Sequence, residues 1–506
     1  MKVVLLWSDI LLWGLVLAAL LLTVQVRRRE HLAVPWRRVG QSRVAMVCLP
    51  MLLFFVVVGL LDSLHYRPQL GRAVPSDAVA NANAANANAA NANAANANAA
   101  NANAANGNAA NASKATAAYS VEVLSVLDHI LSPLRASRER TYSAPLATHA
   151  HVKESVDRPD GSTVREYPRL AHGGARLSEP IGLRTQGVDL IERGAVGALV
   201  GTLGWIVLVL GAVWLERDKG GFSAIRRDEC TLRWRSALAA SLVLCMVVGV
   251  AGGWALEYHV LGTDKVGQDV LYLSLKSVRT ALVIGTLTTV VMLPLALGLG
   301  IAAGYLQGWV DDLVQFVYTT LNSIPSVLLI AAAVLLMQVF IDGHADLFQT
   351  TAERADLRLL FLCLILALTS WTGLARLLRA ESLKLRELEY VQAARALGVS
   401  AWGIMVGHIA RNAMHLVIIT LAMEFSGLVL AEAVLSYIGV GVDPSMISFG
   451  SMINAARLEL SREPAVWWSL AAAFSFMFVL VLAANLLADA VRDAFDPRVA
   501  HLGGAR

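Results

Sequence analysis

Glu424 and Glu432 stand in an otherwise apolar run, Ala413 to Gly441, that also holds His415. A carboxylate at membrane depth is costly and ordinarily faces a bundle interior or a water-filled cavity, which makes both glutamates candidates for a translocation pathway. The competing reading is a protonated carboxyl, or one near the aqueous end of a tilted helix. His415 and the two glutamates do not compose a nucleophile with its base, nor a metal site, so an intramembrane enzyme is not indicated. A second constellation is Gly262-Thr263-Asp264-Lys265-Val266-Gly267-Gln268-Asp269. It is a turn-rich loop whose carboxylates could cap a following helix, and two acids five apart are weak grounds for a cation site. A third runs from Glu389 to Ser400, where Tyr390, Ala393, Ala394 and Leu397 share one helical face. Gly398 can end that helix in a left-handed conformation, and Ser400 can cap a second one running toward His408. Small alanines flanked by Glu389 and Arg395 suit a joint with another protein, and equally an amphipathic helix on a lipid surface. Periodicity leaves both open.

No Gly-x-x-x-x-Gly-Lys-Ser/Thr loop occurs in the chain, so no nucleotide-phosphate cradle of that kind is expected here. The four cysteines, Cys48, Cys230, Cys245 and Cys363, lack the paired spacing of a metal site or a disulfide framework. No cofactor and no metal are expected.

The elements that must position these residues are membrane spans. The 506 residues are 56% hydrophobic and 16% charged, too apolar for an ordinary soluble protein. Uncharged runs cover Val44 to Leu61, Ala195 to Leu215, Ala237 to Leu256, Ala281 to Tyr305, Leu313 to Ile341, Leu359 to Ala375 and Val466 to Ala488. Most reach the roughly 20 residues that cross a hydrocarbon core as helix. Val3 to Val24, with only Asp9 ionisable, and Ala413 to Gly441 bring the candidate spans to nine. Alternation of the barrel kind is absent. The first run has only Lys2 before it and no cleavage pattern after it, and reads as an uncleaved anchor.

Basic residues give the orientation. Arg27, Arg28, Arg29, Arg37, Arg38 and Arg43 crowd the first loop, and Arg217, Lys219, Arg226, Arg227, Arg233 and Arg235 crowd the loop before Ala237. Both are cytoplasmic by the positive-inside rule, which with nine spans places the N-terminus outside and the C-terminus inside. The net charge of +4 reflects this clustering beside spans and implies no nucleic acid partner. Residues 62–194 then lie outside. Within them 81–112 is an array of Asn-Ala-Asn-Ala-Ala with one Gly107 variant, too small-chained to fill a core, and it reads as a spacer. Tyr119 to Gly194 reads as turns, with a short helix around Val121 to Leu131.

The stretch Glu389-Tyr390-Val391 through Ala393-Ala394-Arg395-Ala396-Leu397-Gly398, followed by His408-Ile409 and Asn412, resembles the EAA loop of ABC importer permeases. Leu261-Gly262-Thr263-Asp264-Lys265-Val266-Gly267-Gln268-Asp269-Val270 is similar to the external LGTDxxGRDV signature of dipeptide and oligopeptide permeases, with Gln268 in place of arginine. Glu432 to Gly441 and Arg492-Asp493-Ala494-Phe495-Asp496-Pro497-Arg498 look like that family's last two landmarks. The family usually has Leu-Pro where this chain has Ala410-Arg411, which bears on how the second loop helix exits. The resemblance covers about 225–499.

That resemblance implies an all-α polytopic fold, a type I permease core of six helices at 225–499. It would be preceded by two helices in 1–61, the extracytoplasmic insert 62–194 and a third extra helix with a linker in 195–224, and followed by a tail at 500–506. It implies a bacterial inner-membrane importer subunit for dipeptides or oligopeptides, with no ATPase activity of its own. Its partners would be cytoplasmic ATP-binding subunits, a second permease, an extracytoplasmic substrate-binding protein and the lipid bilayer. Glu389, Ala393, Ala394, Arg395 and Gly398 would inherit the ATPase-coupling role. Gly262, Thr263, Asp264, Gly267 and Asp269 would form the external signature. Nickel and peptide-like antibiotics are cargoes of the same family. A secondary transporter or channel would want inverted repeats or charge relays, which are not visible.

Overall fold

The computed structural model describes residues 2–28, 30–68, 122–157, 163–177, 182–216, 232–344 and 350–495. The Asn/Ala array at 81–112, the basic residues Arg29, Arg217, Lys219, Arg226 and Arg227, the Asp496-Pro497-Arg498 end of the last landmark and the tail 500–506 lie outside them. Chain order begins with β1 (Lys2–Val4), α1 (Trp7–Arg28), α2 (Glu30–Gln41), α3 (Arg43–Asp62) and β2 (His65–Arg67). The next segment contributes β3 (Leu124–Ser125), α4 (Val126–Ile130), α5 (Ser132–Ala136), β4 (Glu154–Asp157) and β5 (Thr163–Glu166). The long helices follow: α6 (Leu183–Leu215), α7 (Trp234–Ala255), α8 (Val270–Leu306), α9 (Trp309–Ser323), α10 (Ser326–Gly343) and α11 (Thr351–Arg386). After α12 (Glu389–Ala396), α13 (Ala401–Ile404) and a π-helical turn (Met405–Ala410) come α14 (Arg411–Ile438), α15 (Phe449–Glu459) and α16 (Trp468–Phe495).

Among the described residues nine helical stretches are long and apolar enough to cross a membrane, one for each span expected from the sequence. Several helices run beyond the uncharged stretches, and three of the changes have clear physical reasons. Leu313 to Ile341 is one uncharged run but two helices, α9 and α10. Ile324 is extended ahead of Pro325, which has no N–H to continue the ladder. Helix α8 starts at Val270 rather than near Ala281, because Asp269 caps it and buried partners accommodate Lys276 and Arg279 within it. Its 37 residues span about 55 Å, well beyond a hydrocarbon core of about 30 Å. Val3 and Val4, read as the start of the first span, belong with Lys2 to a strand.

That strand belongs to a small antiparallel sheet, β1-β2-β3, with Val3 opposite Tyr66 and Tyr66 opposite Leu124; β4 and β5 form a separate two-stranded sheet. The all-α description therefore holds for the spans, with short sheets beside them. The short helix expected around Val121 to Leu131 is α4. It is closed by a capping box in which the Ser125 hydroxyl accepts from the Asp128 N–H and the Asp128 carboxylate accepts from the Ser125 N–H.

Helices α8 and α11 run parallel and pack along most of their lengths. Val283, Ile284 and Leu287 of α8 meet Leu359, Leu362 and Leu366 of α11 and Leu428 and Leu435 of α14 in one buried cluster. Toward the other end Ala303 and Tyr305 join Leu374 and Leu378. Helices α6 and α7 approach more closely than side chains would allow. A Cβ on Gly197 would lie 2.3 Å from the Gly249 carbonyl, and one on Gly249 would lie 2.4 Å from the Gly197 carbonyl. Helix α3 packs against α7, α8 and α16, and α1 against α8 and α11, so the preceding helices are built onto the same bundle.

Candidate functional site

The loop after α11 leaves the bundle at the end away from Gly262 to Asp269. Arg386 ties that end of α11 to α8 by donating to the Tyr305 carbonyl at 3.1 Å. Helix α12 stops where expected: the Val399 N–H reaches back to the Ala394 carbonyl at 3.1 Å, and Gly398 takes φ +79°. The Ser400 hydroxyl then accepts from the Gly403 N–H at 3.2 Å and starts α13. The two-helix loop drawn from the sequence is present.

Three of the four residues on the shared apolar face are open, and a different pair anchors the loop. Val391 (1% exposed) and Ala394 point into the core with Ile404 and Ile409, whereas Tyr390, Ala393 and Leu397 are exposed. The pattern is an i, i+3 pair at Val391 and Ala394. Ala394 is therefore an anchor, while Glu389, Ala393, Arg395 and Gly398 are accessible. Leu397 (84% exposed) and Trp402 (71% exposed) project from the bend, flanked by exposed Val399 and Val406. A patch of this sort on an anchored loop marks an interaction surface. The Asn412 side-chain amide donates to the Tyr390 hydroxyl, bracing α12 against α14. The exit at Ala410-Arg411 is a continuous helix entered through the π-helical turn, with no proline break.

At the other end the Gly262 to Asp269 loop is a structural latch. The Thr263 hydroxyl accepts from the Ser143 N–H at 2.7 Å and donates to the Thr141 carbonyl at 2.9 Å, and the Trp468 indole donates to the Thr263 carbonyl at 2.9 Å. Asp264 accepts from the N–H groups of Val266 and Gln268 at 2.9 and 2.8 Å. Asp269 caps α8 by accepting from Leu271 and Tyr272, and its second oxygen lies 2.8 Å from His259 Nδ1. Asp269 thus caps the following helix, whereas Asp264 closes the turn of its own loop. Gly267, at φ +74°, admits the insert: a Cβ there would lie 1.9 Å from the Glu139 carbonyl.

His259 and Glu139 were not singled out from the sequence. Glu139 accepts from the backbone N–H groups of Ala171, His172 and Gly173 at 2.8, 2.7 and 3.1 Å, and lies 3.5 Å from His259 Nε2. Burial pushes the Glu139 carboxyl up, but His259 and the three N–H groups outweigh it and hold it at about 2. Burial pulls His259 down, but its hydrogen bond to Asp269 and the nearby Glu139 carboxylate raise it to about 9. The insert is thereby clamped on the signature loop.

Arg279 (5% exposed) joins Asp9 of α1 at 2.6 Å and lies 3.9 Å from Asp356 of α11; Asp9 also holds His65 at 2.7 Å. Beside it Lys276 pairs with Asp128 at 2.8 Å and Asp62 at 3.4 Å. The lone acid of the first run and the bases just ahead of Ala281 were the visible signal for this network. Pairing across 270 residues is not legible in either.

The two span glutamates differ. Glu432 (1% exposed) accepts from the Ser436 hydroxyl at 2.6 Å where α15 packs onto α14, and a Cβ on Gly450 there would meet the Ser436 Cβ at 2.6 Å. Glu424 is half-buried and makes no hydrogen bond or ion pair with the described residues. The structure does not bring them together in one cavity.

Residues 296–501 match the family described as binding-protein-dependent transport system inner membrane component. The chain is also 32% identical over 239 residues to the oligopeptide transport system permease protein of Mycobacterium tuberculosis, covering 47% of this chain and 76% of that one. This chain belongs to that permease family. Other relatives of the permease include the glutathione transport system permease protein of Pectobacterium atrosepticum, 31% identical over 53% of this chain and 89% of the relative. The dipeptide transport system permease protein of Lactococcus lactis is 28% identical over 48% and 65%. The chain is accordingly a multi-pass membrane component of an ABC importer, and the fold is the one its motifs implied.

Proposed function

We propose that the permease is one transmembrane subunit of an ATP-driven importer of dipeptides or oligopeptides, working with a second permease, cytoplasmic ATP-binding subunits and an extracytoplasmic binding protein. In this reading the N-terminus lies outside and the C-terminus in the cytoplasm, consistent with the arginine-rich loops. Residues 225–499 act as the transport core, with 1–61, 62–194 and 195–224 as accessory parts. Peptide cargo is supported by the relatives, whose names specify oligopeptides, glutathione and dipeptides.

The observation that carries the coupling role is the exposed Leu397 and Trp402 on a loop whose Val391, Ala394, Ile404 and Ile409 are buried in the bundle. A knob seated in an ATPase cleft and rooted between the ends of α8 and α11 moves those helices with it, which is what alternating access needs. Glu389 and Arg395 beside it fix register by charge. Glu424, the unpartnered span carboxyl, is assigned to the pathway, and Glu432 to holding α15 on α14.

The test is retention of the ATPase in purified membranes. Leu397→Asp with Trp402→Asp, and separately Glu389→Ala with Gly398→Ala, should release it while the permease stays folded. An ATPase held equally by all variants places the loop on the lipid instead. Cargo is read by uptake of labelled dipeptides and tripeptides into cells dependent on them.

A further inference from the structure

Between the helices preceding the core and the core itself lies an apolar crevice of about 470 Å3, walled by Phe54 of α3, Val248 and Gly252 of α7, Leu275 of α8 and Phe476 of α16, and roofed by Pro133 of α5. A second crevice of about 410 Å3 shares the Phe54 and Val248 wall and extends to Gly204 of α6. At the roofed end a third, polar pocket of about 210 Å3 shares Pro133, Ala255 and Leu256 with the first and is lined by Ser137, His172, Glu257 and His259. Two apolar slots side by side at membrane depth, with a polar chamber at one end of the first, have the layout of an amphipathic molecule with two tails.

We infer that this compartment binds one membrane phospholipid, its acyl chains in the two slots and its phosphate-bearing head in the chamber of His172, Glu257 and His259. The shape favours a chain-like occupant over a helix from a partner subunit. The first slot follows α7 over residues 244–256, about 18 Å of helix, and 470 Å3 spread over that length is narrower than the roughly 10–12 Å of a helix with its side chains. A single leaflet supplies acyl chains of about 15 Å, half of a 30 Å hydrocarbon core, which matches the slot. The α4–α5 roof closes one end against a longer rod. In the head chamber His259 Nε2 is buried and ion-paired with Glu139 at 3.5 Å without a hydrogen bond of good geometry, so its N–H can turn to a phosphate oxygen while the charge of Glu139 stays beside it. Glu257, itself paired with Arg176 at 2.8 Å, supplies the opposite charge for an amine-bearing head. A lipid so placed joins α3 and α6 to α7 and α16, filling a seam that side chains leave open.

Gly252 gives a clean test, because a Cβ built on it meets nothing within 4 Å, so a large side chain enters the slot without striking protein. The full chain is purified in detergent with extensive washing, and bound phospholipid is counted by mass spectrometry of the intact protein. Wild type should retain a single phospholipid per chain, and Gly252→Phe should retain roughly tenfold less. Gly204→Phe in the neighbouring slot, where a Cβ is equally unopposed, should lose it too. Gly14→Leu, on α1 and also in open space, should behave as wild type. Adding dioleoyl phosphatidylethanolamine should raise the thermal midpoint of delipidated wild type and not of Gly252→Phe, a comparison that also verifies that the variant is folded. Wild type carrying no lipid, equal retention by Gly252→Phe, or efficient crosslinking of Gly252→Cys to the second permease would each overturn the inference.

Discussion

Replacing Glu139 by glutamine should loosen the insert from the signature loop. Glutamine keeps the carbonyl that accepts from the His172 and Gly173 N–H groups but removes the charge facing His259. His259 binds its proton more tightly folded than unfolded, so its contribution is full below pH 6.5 and is lost as pH rises through about 9. Glu139 works the other way: its contribution is present above pH 4.5 and is lost as pH falls through about 2. The clamp is whole between pH 4.5 and 6.5. The interval from 6.5 to about 9 corresponds to about 3 kcal/mol, and because the two shifts describe largely one ion pair they are not added. Removing one partner of a buried pair costs roughly 3–5 kcal/mol, and Asp269 still faces His259 here, so Glu139→Gln should cost about 2–3 kcal/mol. The readout is protease cleavage within 138–177 on intact membranes, corrected with a denatured standard at each pH. Wild type should be cleaved on the order of a hundredfold faster at pH 10 than at pH 6, since cleavage follows the population of the opened form. Glu139→Gln should be cleaved rapidly at both. Equal protection of wild type at the two pH values, or protection of the variant matching wild type, would refute the assignment of the clamp.

Other outcomes follow from the same structure. Arg279→Met should lower stability by roughly 3–5 kcal/mol by leaving Asp9 and Asp356 buried without their cation, and a second change, Asp9→Asn, should restore part of it in thermal melts. Gly249→Leu should separate α6 from α7 because its Cβ would sit 2.4 Å from the Gly197 carbonyl, seen as loss of a disulfide engineered between the two helices. Glu424→Gln should alter the pH profile of peptide uptake, whereas Glu432→Gln should leave that profile in place and shift only the melting point; an unchanged profile in the first removes Glu424 from the pathway. Deleting 81–112 should leave uptake intact if the array is a spacer, and a dead transporter would refute that.

The spans were legible because bilayer burial demands long uncharged runs, and nothing else in a chain of ordinary composition produces nine of them. What the runs concealed was where helices continue past the apolar part: α8 begins eleven residues before Ala281 because Arg279 and Lys276 find buried acids, and a partner on a distant helix leaves no local trace. The loop from Glu389 to Ser400 was legible in outline, through Gly398 and Ser400, whose conformations are set by their own backbones. The sequence did not show which residues anchor it, because the contact with Ile404 and Ile409 that selects Val391 and Ala394 is made only once the second helix folds back. The signature loop's turn chemistry was readable from its glycines and aspartates, but not that Thr263 and Gly267 are pinned by residues 139–143, because that pairing crosses about 120 positions of sequence.

The Asp9–Arg279 pair also has a timetable. Asp9 is synthesised 270 residues ahead of its cation, an interval of about 15–55 s at ordinary elongation rates, and Asp356 arrives later still. During that interval, among the described residues that precede α8, His65 is the partner of Asp9. Closure of the pair thus waits until the N-terminal helix and the core have both been synthesised, so a charge contact that reads as static architecture is among the last to form.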